Sequence, residues 1–156
     1  IGLLKQHKIS EEMSNSLNYF QDNLSHDMYH KLFGLLLTDR GTEFNKPQLF
    51  EINHETGEIR TNIFYCDAQT PSQKPHVENN HEFIRDIILK KKSMKNLTQE
   101  KIDLMFSHIN SVPRKSLGGK TPYEAFEFFY GKETLDLLNI QRIEKDKVTL
   151  QPYLLK

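Results

Sequence analysis

The run LLLTDRGTEF, residues 35–44, carries an apolar pattern straight into Asp39 and breaks at Gly41. An aspartate at the carboxyl end of a buried parallel strand sits where open α/β sheets place their sites. An aspartate just before a glycine is equally a turn former, because its side chain can bond its own backbone two residues on. On these residues alone both readings stay open. A second carboxylate, Glu78, stands in the first turn of a helical pattern, where it either complements the helix dipole or points from the rim of the buried face toward the sheet edge. Seven positions on lies Arg85, nearly eclipsed with it two turns along, and His81 falls between them. Asp67 reads as a strand stop or turn cap, and His76 and His81 as polar rim residues. The single cysteine, Cys66, can form neither an internal disulfide nor, alone, a zinc site. The absence of GxGxxG, Walker, CxxC and GxSxG patterns removes dinucleotide, P-loop, zinc-ribbon and hydrolase-elbow readings.

Net charge is zero, yet its distribution is uneven. Between residues 85 and 120 nine basic side chains (Arg85, Lys90, Lys91, Lys92, Lys95, Lys101, Arg114, Lys115 and Lys120) face three acidic ones, Asp86, Glu100 and Asp103. A local basic stripe is what phosphate binding needs, because each neutralised phosphate releases counterions whatever the total charge. The competing reading is a solvated helix end and loop.

These residues have to be positioned by a chain of 156 residues, long enough for one domain with a core of its own. With 37% hydrophobic and 27% charged residues the composition is that of a soluble globular protein. No apolar run approaches the roughly 20 residues of a bilayer span, and no signal pattern opens the chain, so the cytoplasm is the expected compartment and no membrane partner is expected. The chain begins at Ile1 rather than Met, which leaves open a longer parent.

IGLLKQH is expected to form a short strand. Ser10 is the expected N-cap of a helix to about residue 24, with Met13, Leu17, Phe20 and Leu24 on one face. FGLLLTD predicts a strand buried on both faces, as in parallel sheets. A turn around Gly57 and a strand from Ile63 to Cys66 follow. From Pro75 a helix is expected, with Val77, Ile84 and Ile88 on its buried face and Phe83 and Ile87 on one flank. Thr98 caps the next helix, Leu97 and Ile102 staple it, and Ile102, Met105, Phe106 and Ile109 form its stripe until Pro113. TPYE, residues 121–124, combines a capping box with proline at the first helical position and predicts a helix up to Gly131. A short helix near ETLDLLNI and a hairpin around RIEKDKVTL close the chain. Strands and helices alternate in the first half and helices dominate the second, an α/β pattern.

Three blocks in order carry a resemblance. TDRGTEF resembles the strand-end second-aspartate motif of DDE transposases, QKPHVENNHEFIR resembles the helix that carries their glutamate, and HINSVPRKSLGGKTPYEAF is similar to the carboxyl-terminal block of the bacterial insertion-sequence-thirty group. The resemblance covers nearly the whole chain. It implies a partial RNase H-like, retroviral-integrase-like catalytic core over residues 1–130, with a helical carboxyl-terminal half and a short helix and hairpin over 131–156. The implied function is DNA strand cleavage and transfer in transposition, dependent on Mg²⁺ or Mn²⁺, with two ions in the intact family site and carboxylates converging on them.

By the same resemblance Asp39 and Glu78 are the catalytic metal ligands, with His81 and Asn79 as their neighbours. Arg85, Lys90, Lys91, Lys92, Arg114, Lys115 and Lys120 would contact DNA, at transposon ends and target. A homo-oligomer, nucleoid-associated when bound to DNA, is implied for the intact protein. Pro75 departs from the glycine common before this helix, and LKKKSMKN from the group's Leu-Pro-Lys-Gly, which puts the DNA loop in question. IGLLKQH aligns with the third strand of the family sheet, so the first aspartate and the first two strands are expected to lie outside these residues. That predicts little or no activity for this chain alone. An alternative is a catalytically inactive remnant that binds DNA or a protein partner through residues 85–120.

Overall fold

The computed structural model describes residues 1–67, 75–89 and 96–156, with side chains throughout except at 75–79. The chain divides into two compact units, Lys5–Gln73 and a second made of Ile1–Leu4 with Lys74–Lys156.

In the unit Lys5–Gln73 the elements are helices α1 (Ser10–Asn23) and α2 (His26–Phe33), strand β1 (Leu35–Thr38), a 3₁₀ turn at Thr42–Phe44, helix α3 (Pro47–Glu51) and strand β2 (Asn62–Tyr65). Helix α1 buries Leu17 and Phe20, as its periodicity predicts. Its cap differs from expectation. Ile9 occupies the N-cap without a side-chain bond, while the Ser10 hydroxyl donates to Asn45 Oδ1 at 3.0 Å. A distant polar partner outcompetes the local one. The α2 helix, not foreseen, starts at the Ser25 hydroxyl, which accepts the Met28 N–H at 3.3 Å. Its Phe33 stacks on Phe20 with ring centroids 4.5 Å apart.

Strands β1 and β2 pair in parallel, Leu35 opposite Asn62 and Thr38 opposite Tyr65. Side chains alternate across a strand, so Leu36 and Ile63 share one face, packed with Leu17 and Phe50. The opposite face presents Leu35, Leu37 and Phe64, all exposed. The expectation of a strand buried on both faces is therefore corrected: among the described residues the sheet has two strands, and its packed residues lie on one side. The turn at Gly57 is formed as expected, with φ of 74°.

In the second unit, helices α4 (Pro75–Ile87) and α5 (Gln99–Asn110) enclose a core of Ile87, Ile102, Met105 and Ile109, joined by Phe83, Ile84, Ile88, Leu97 and Phe106. The α5 stripe and staple are as predicted. Among the described side chains of α4 the most buried is Ile87, expected on a flank, while Ile84 and Ile88 of the predicted face pack partly buried against the same core; Val77 lies outside the described side chains. Thr98 caps α5 by accepting the Lys101 N–H at 3.4 Å. Helix α6 (Pro122–Tyr130) opens with the full capping box: Thr121 Oγ1 accepts the Glu124 N–H at 3.1 Å and Glu124 Oε2 accepts the Thr121 N–H at 2.9 Å. Helix α7 (Lys132–Leu137) and a 3₁₀ turn at Pro152–Leu155 complete the unit.

Two expected pieces of β-structure are absent. IGLLKQH forms no strand; the side-chain amide of Gln99 instead donates to Gly2 O and accepts the Leu4 N–H, both at 2.9 Å. The hairpin around RIEKDKVTL gives way to an irregular segment docked on the polar edge of α5. Ser107 Oγ accepts the Gln141 N–H and Ser111 Oγ the Ile143 N–H, each at 3.0 Å, and His108 Nδ1 accepts the Thr149 N–H at 3.1 Å. Residues i and i+2 of an extended chain thus meet i and i+4 of a helix, and the backbone donors a hairpin would have paired are satisfied by side chains.

Candidate functional site

Asp39 follows β1 directly and is exposed at the carboxyl end of the parallel pair. Its Oδ1 accepts the Gly41 N–H at 3.1 Å. The turn and the strand-end placement, posed as alternatives from the sequence, coexist: the turn bond orients the carboxylate at the sheet end. Asp67 leaves β2 at the same end, since Cys66 N–H donates to Thr38 O at 2.8 Å and aligns the two exits.

The turn after Asp39 is built around a residue that sequence reasoning missed. Glu43 is 8% exposed; its Oε1 lies 3.0 Å from Lys8 Nζ, and its Oε2 is buried with no hydrogen-bond partner. A Cβ at Gly41 would come within 2.5 Å of Glu43 Oε2, while the φ of Gly41 is an ordinary −64°. Glycine is therefore needed here for close approach, and not for backbone freedom. Ser10 and the Tyr65 hydroxyl, which donates to Phe44 O at 2.5 Å, pin the far side of the turn. The available signal was the pairing of Gly41 with Glu43 two residues later, a small residue facing a carboxylate.

Glu78 is the fourth residue of α4, in its first turn as predicted. Its side chain and that of Asn79 lie outside the described residues, as do Lys90, Lys91 and Lys92. Asp39 and Glu78 belong to different compact units. His81 and Arg85 are exposed on α4.

The expected DNA contacts after α5 divide by role. The Arg114 guanidinium donates through Nη2 to Ile109 O at 3.2 Å and Asn80 Oδ1 at 3.3 Å and lies 4.1 Å from the centroid of the Phe83 ring. Partial burial pulls its pKa below the ordinary arginine value, from a starting point high enough that it stays charged. It joins α4 to the end of α5 through Nη2, and Nε and Nη1 make no hydrogen bond among the described residues. Lys115 and Lys120 are exposed, and among the described residues neither has an ion-pair partner. The loop that holds them closes on its own backbone: Arg114 N–H donates to Lys120 O and Gly119 N–H to Arg114 O, both at 2.9 Å. Gly118 and Gly119 have φ of 63° and 85°, a conformation that favours glycine.

Among the described residues no three of His, Cys, Asp and Glu converge as a metal site, and no helix is long and apolar enough to cross a membrane.

Comparison with known proteins supplies kinship. The chain is 36% identical over 92 residues to the transposase InsI for insertion sequence element IS30A of Escherichia coli K12, covering 59% of this chain and 23% of that protein. It is 30% identical over 103 residues to a putative integrase, ORF3, of Spiroplasma virus SpV1-R8A2 B, 66% of this chain and 30% of the relative. The transposase for insertion sequence element IS1086 of Cupriavidus metallidurans is 27% identical over 89 residues, 57% of this chain and 25% of the relative. The chain thus spans between about a quarter and a third of the length of these curated relatives. No family model and no solved structure matches it. Over 92 residues, 59% of its length, this chain is similar to a transposase of insertion sequence element IS30.

Proposed function

We propose that this chain is part of a DDE transposase with an RNase H-like core, acting on DNA in strand cleavage and transfer, with Asp39 and Glu78 as metal ligands. The observation that carries the reading is the 36% identity over 92 residues to an IS30 transposase. The chemistry of Asp39 fits: it is an exposed hard-oxygen donor at a strand end, with one oxygen steadied by the Gly41 N–H and the other without a hydrogen bond among the described residues. Bound Mg²⁺ or Mn²⁺ would supply Lewis-acid activation of the attacking oxygen and stabilise the leaving one. The chain's own part is to aim Asp39 through the Gly41 turn, to brace that turn on Glu43, and to attract the phosphate backbone with Lys115 and Lys120. Such phosphate contacts position DNA without reading its sequence. Arg85, exposed on α4, serves the same purpose in this reading.

With two carboxylates of the three that a DDE site uses, the 156 residues by themselves are expected to bind Mn²⁺ weakly and DNA in a salt-dependent way, and to show little or no nicking. Titration of Mn²⁺ into the purified chain, followed by electron paramagnetic resonance, tests the ligands. Asp39→Asn and Glu78→Gln should each lower binding, and binding unchanged by either would overturn the assignment. Robust metal-dependent nicking by the isolated chain, abolished by Asp39→Asn, would overturn the expectation of inactivity. The reading as a DNA-binding module without catalysis draws on the exposed, unpaired Lys115 and Lys120. It is favoured if duplex binding survives both carboxylate substitutions while Mn²⁺ binding is absent from the start.

A further inference from the structure

Helix α6 has the sequence PYEAFEFFY, and one of its five aromatic residues, Tyr123, is buried. At its carboxyl end Phe128 is 80% exposed and Phe129 71% exposed, with their rings edge to face at 5.2 Å. Exposure of two neighbouring phenyl rings forgoes several kcal/mol of burial, roughly 1.5–3 for each fully buried apolar side chain. Contiguous exposed apolar surface of this kind marks a contact site.

The charge beside the rings indicates what they contact. Lys120 Nζ lies 5.9 Å from the centroid of Phe128. Two nearby carboxylates pair elsewhere: Glu124 caps Thr121 and lies 3.2 Å from Arg142 Nη2, and Asp136 is 2.6 Å from Lys132 Nζ; Glu127, beside Phe128, has no ion pair among the described residues, and neither lysine of the loop is bridged to a carboxylate there. Lys120 and Lys115 therefore remain available on the loop that leads into α6. A second copy of the chain is a poor fit, because covering Phe128 with apolar surface would strip water from the adjacent ammonium, and lysine is depleted from interface cores. Aromatic faces flanked by unpaired cations suit an unpaired nucleobase, which has a π-face to stack and a phosphate to be neutralised. A blunt duplex offers no such face along its length.

We propose that Phe128 and Phe129, with Lys115 and Lys120, form a platform for unpaired bases of a DNA strand, at an end or a gap. This rests on the reading that the chain binds DNA, and it adds which state of DNA this surface selects. The test uses the 156-residue chain with a single-stranded oligonucleotide carrying 2-aminopurine and with a blunt duplex of equal length, read by anisotropy and 2-aminopurine quenching. Phe128→Ala with Phe129→Ala should weaken single-strand binding about 10- to 100-fold and abolish quenching, with duplex binding changed less than about 2-fold. Phe128→Trp should preserve quenching. Both rings are exposed, so circular dichroism of the double variant should match the parent.

Single-strand binding unchanged in the double variant overturns the platform while leaving the DNA reading intact. So does a shift from dimer to monomer in light scattering without loss of binding, which would assign the rings to a second copy. Failure of the parent chain to bind either DNA overturns the DNA reading and the platform with it.

Discussion

The turn after β1 and the loop after α5 both carry candidate site residues, and they are held in opposite ways. Residues 39–45 are fastened by side chains from far along the chain: Ser10 to Asn45, Lys8 to Glu43, Tyr65 to Phe44. Residues 114–120 are closed by their own backbone, with Arg114, Lys115 and Leu117 carbonyls accepting from donors three to five residues on. The two glycines express the difference. A Cβ at Gly41 would strike Glu43, whereas one at Gly118 would meet nothing within 4 Å and object only to the positive φ. The first segment is shaped by packing, which suits the proposed role of Asp39 as a metal ligand. The second is shaped by local geometry and leaves its lysines in water, as a contact to a phosphate backbone tolerates.

The largest expected effect breaks the tie that Arg114 makes from the second loop to α4 and α5. Arg114→Ala removes the donor to Ile109 O and Asn80 and the ring contact with Phe83. It should cost about 3 kcal/mol in chemical denaturation, the scale of a charged hydrogen bond lost from a partly buried site. Arg114→Lys should recover less than half of it, because an ammonium lacks the planar fork. An unaltered denaturation midpoint would mean the loop is wholly self-contained.

Gly41→Ala should cost about 2 kcal/mol through overpacking against Glu43. It should also lower Mn²⁺ binding, since it disturbs the turn that holds Asp39. Gly118→Ala should cost about 1 kcal/mol, the price of a left-handed alanine, with the lysines still exposed and duplex binding retained. Equal costs at the two glycines would erase the contrast between the loops.

The smallest effect concerns pH. His108 Nδ1 accepts the Thr149 N–H, and burial lowers the pKa of the ring below its ordinary 6.5. A histidine that is harder to protonate folded than unfolded contributes fully above about pH 6.5 and progressively less as pH falls below it. Amide exchange at Thr149 should therefore quicken between pH 7 and pH 5 relative to core amides of α5. His108→Gln should remove that dependence.

What could be read from the residues follows this division. The caps Thr98 and Thr121, the Pro122 start and the Gly131 stop are short-range chemistry, and each lies where its motif puts it. The two short strands were legible as apolar runs ending near an aspartate, whereas their parallel pairing with each other is visible only in the fold. Ser10 was misassigned as a cap because its actual partner, Asn45, is 35 positions away. The apolar alternation of the first residues and of 142–150 looked like strand, but Gln99, Ser107, Ser111 and His108 satisfy those backbone donors from a helix edge. Nothing in periodicity distinguishes a β-partner from a helix side chain. Arg114 counted as a surface cation for the same reason: its charge is local, while Phe83 and Asn80 reach it only in the fold.

By itself, the sequence determined the helix caps of the second unit, the two short strands, the strand-end aspartate and the resemblance its motifs carry. These depend on capping, on dihedral preference and on the period of apolar residues, all of which act within a few positions. The tertiary structure alone decided that Glu43 is buried beneath the Asp39 turn, that Arg114 is a tie while Lys115 and Lys120 stay free, and that Phe128 and Phe129 are left in water. Burial and hydrogen-bond satisfaction are properties of the folded surface as a whole, so a side chain's role emerges only when distant segments have claimed or left its partners.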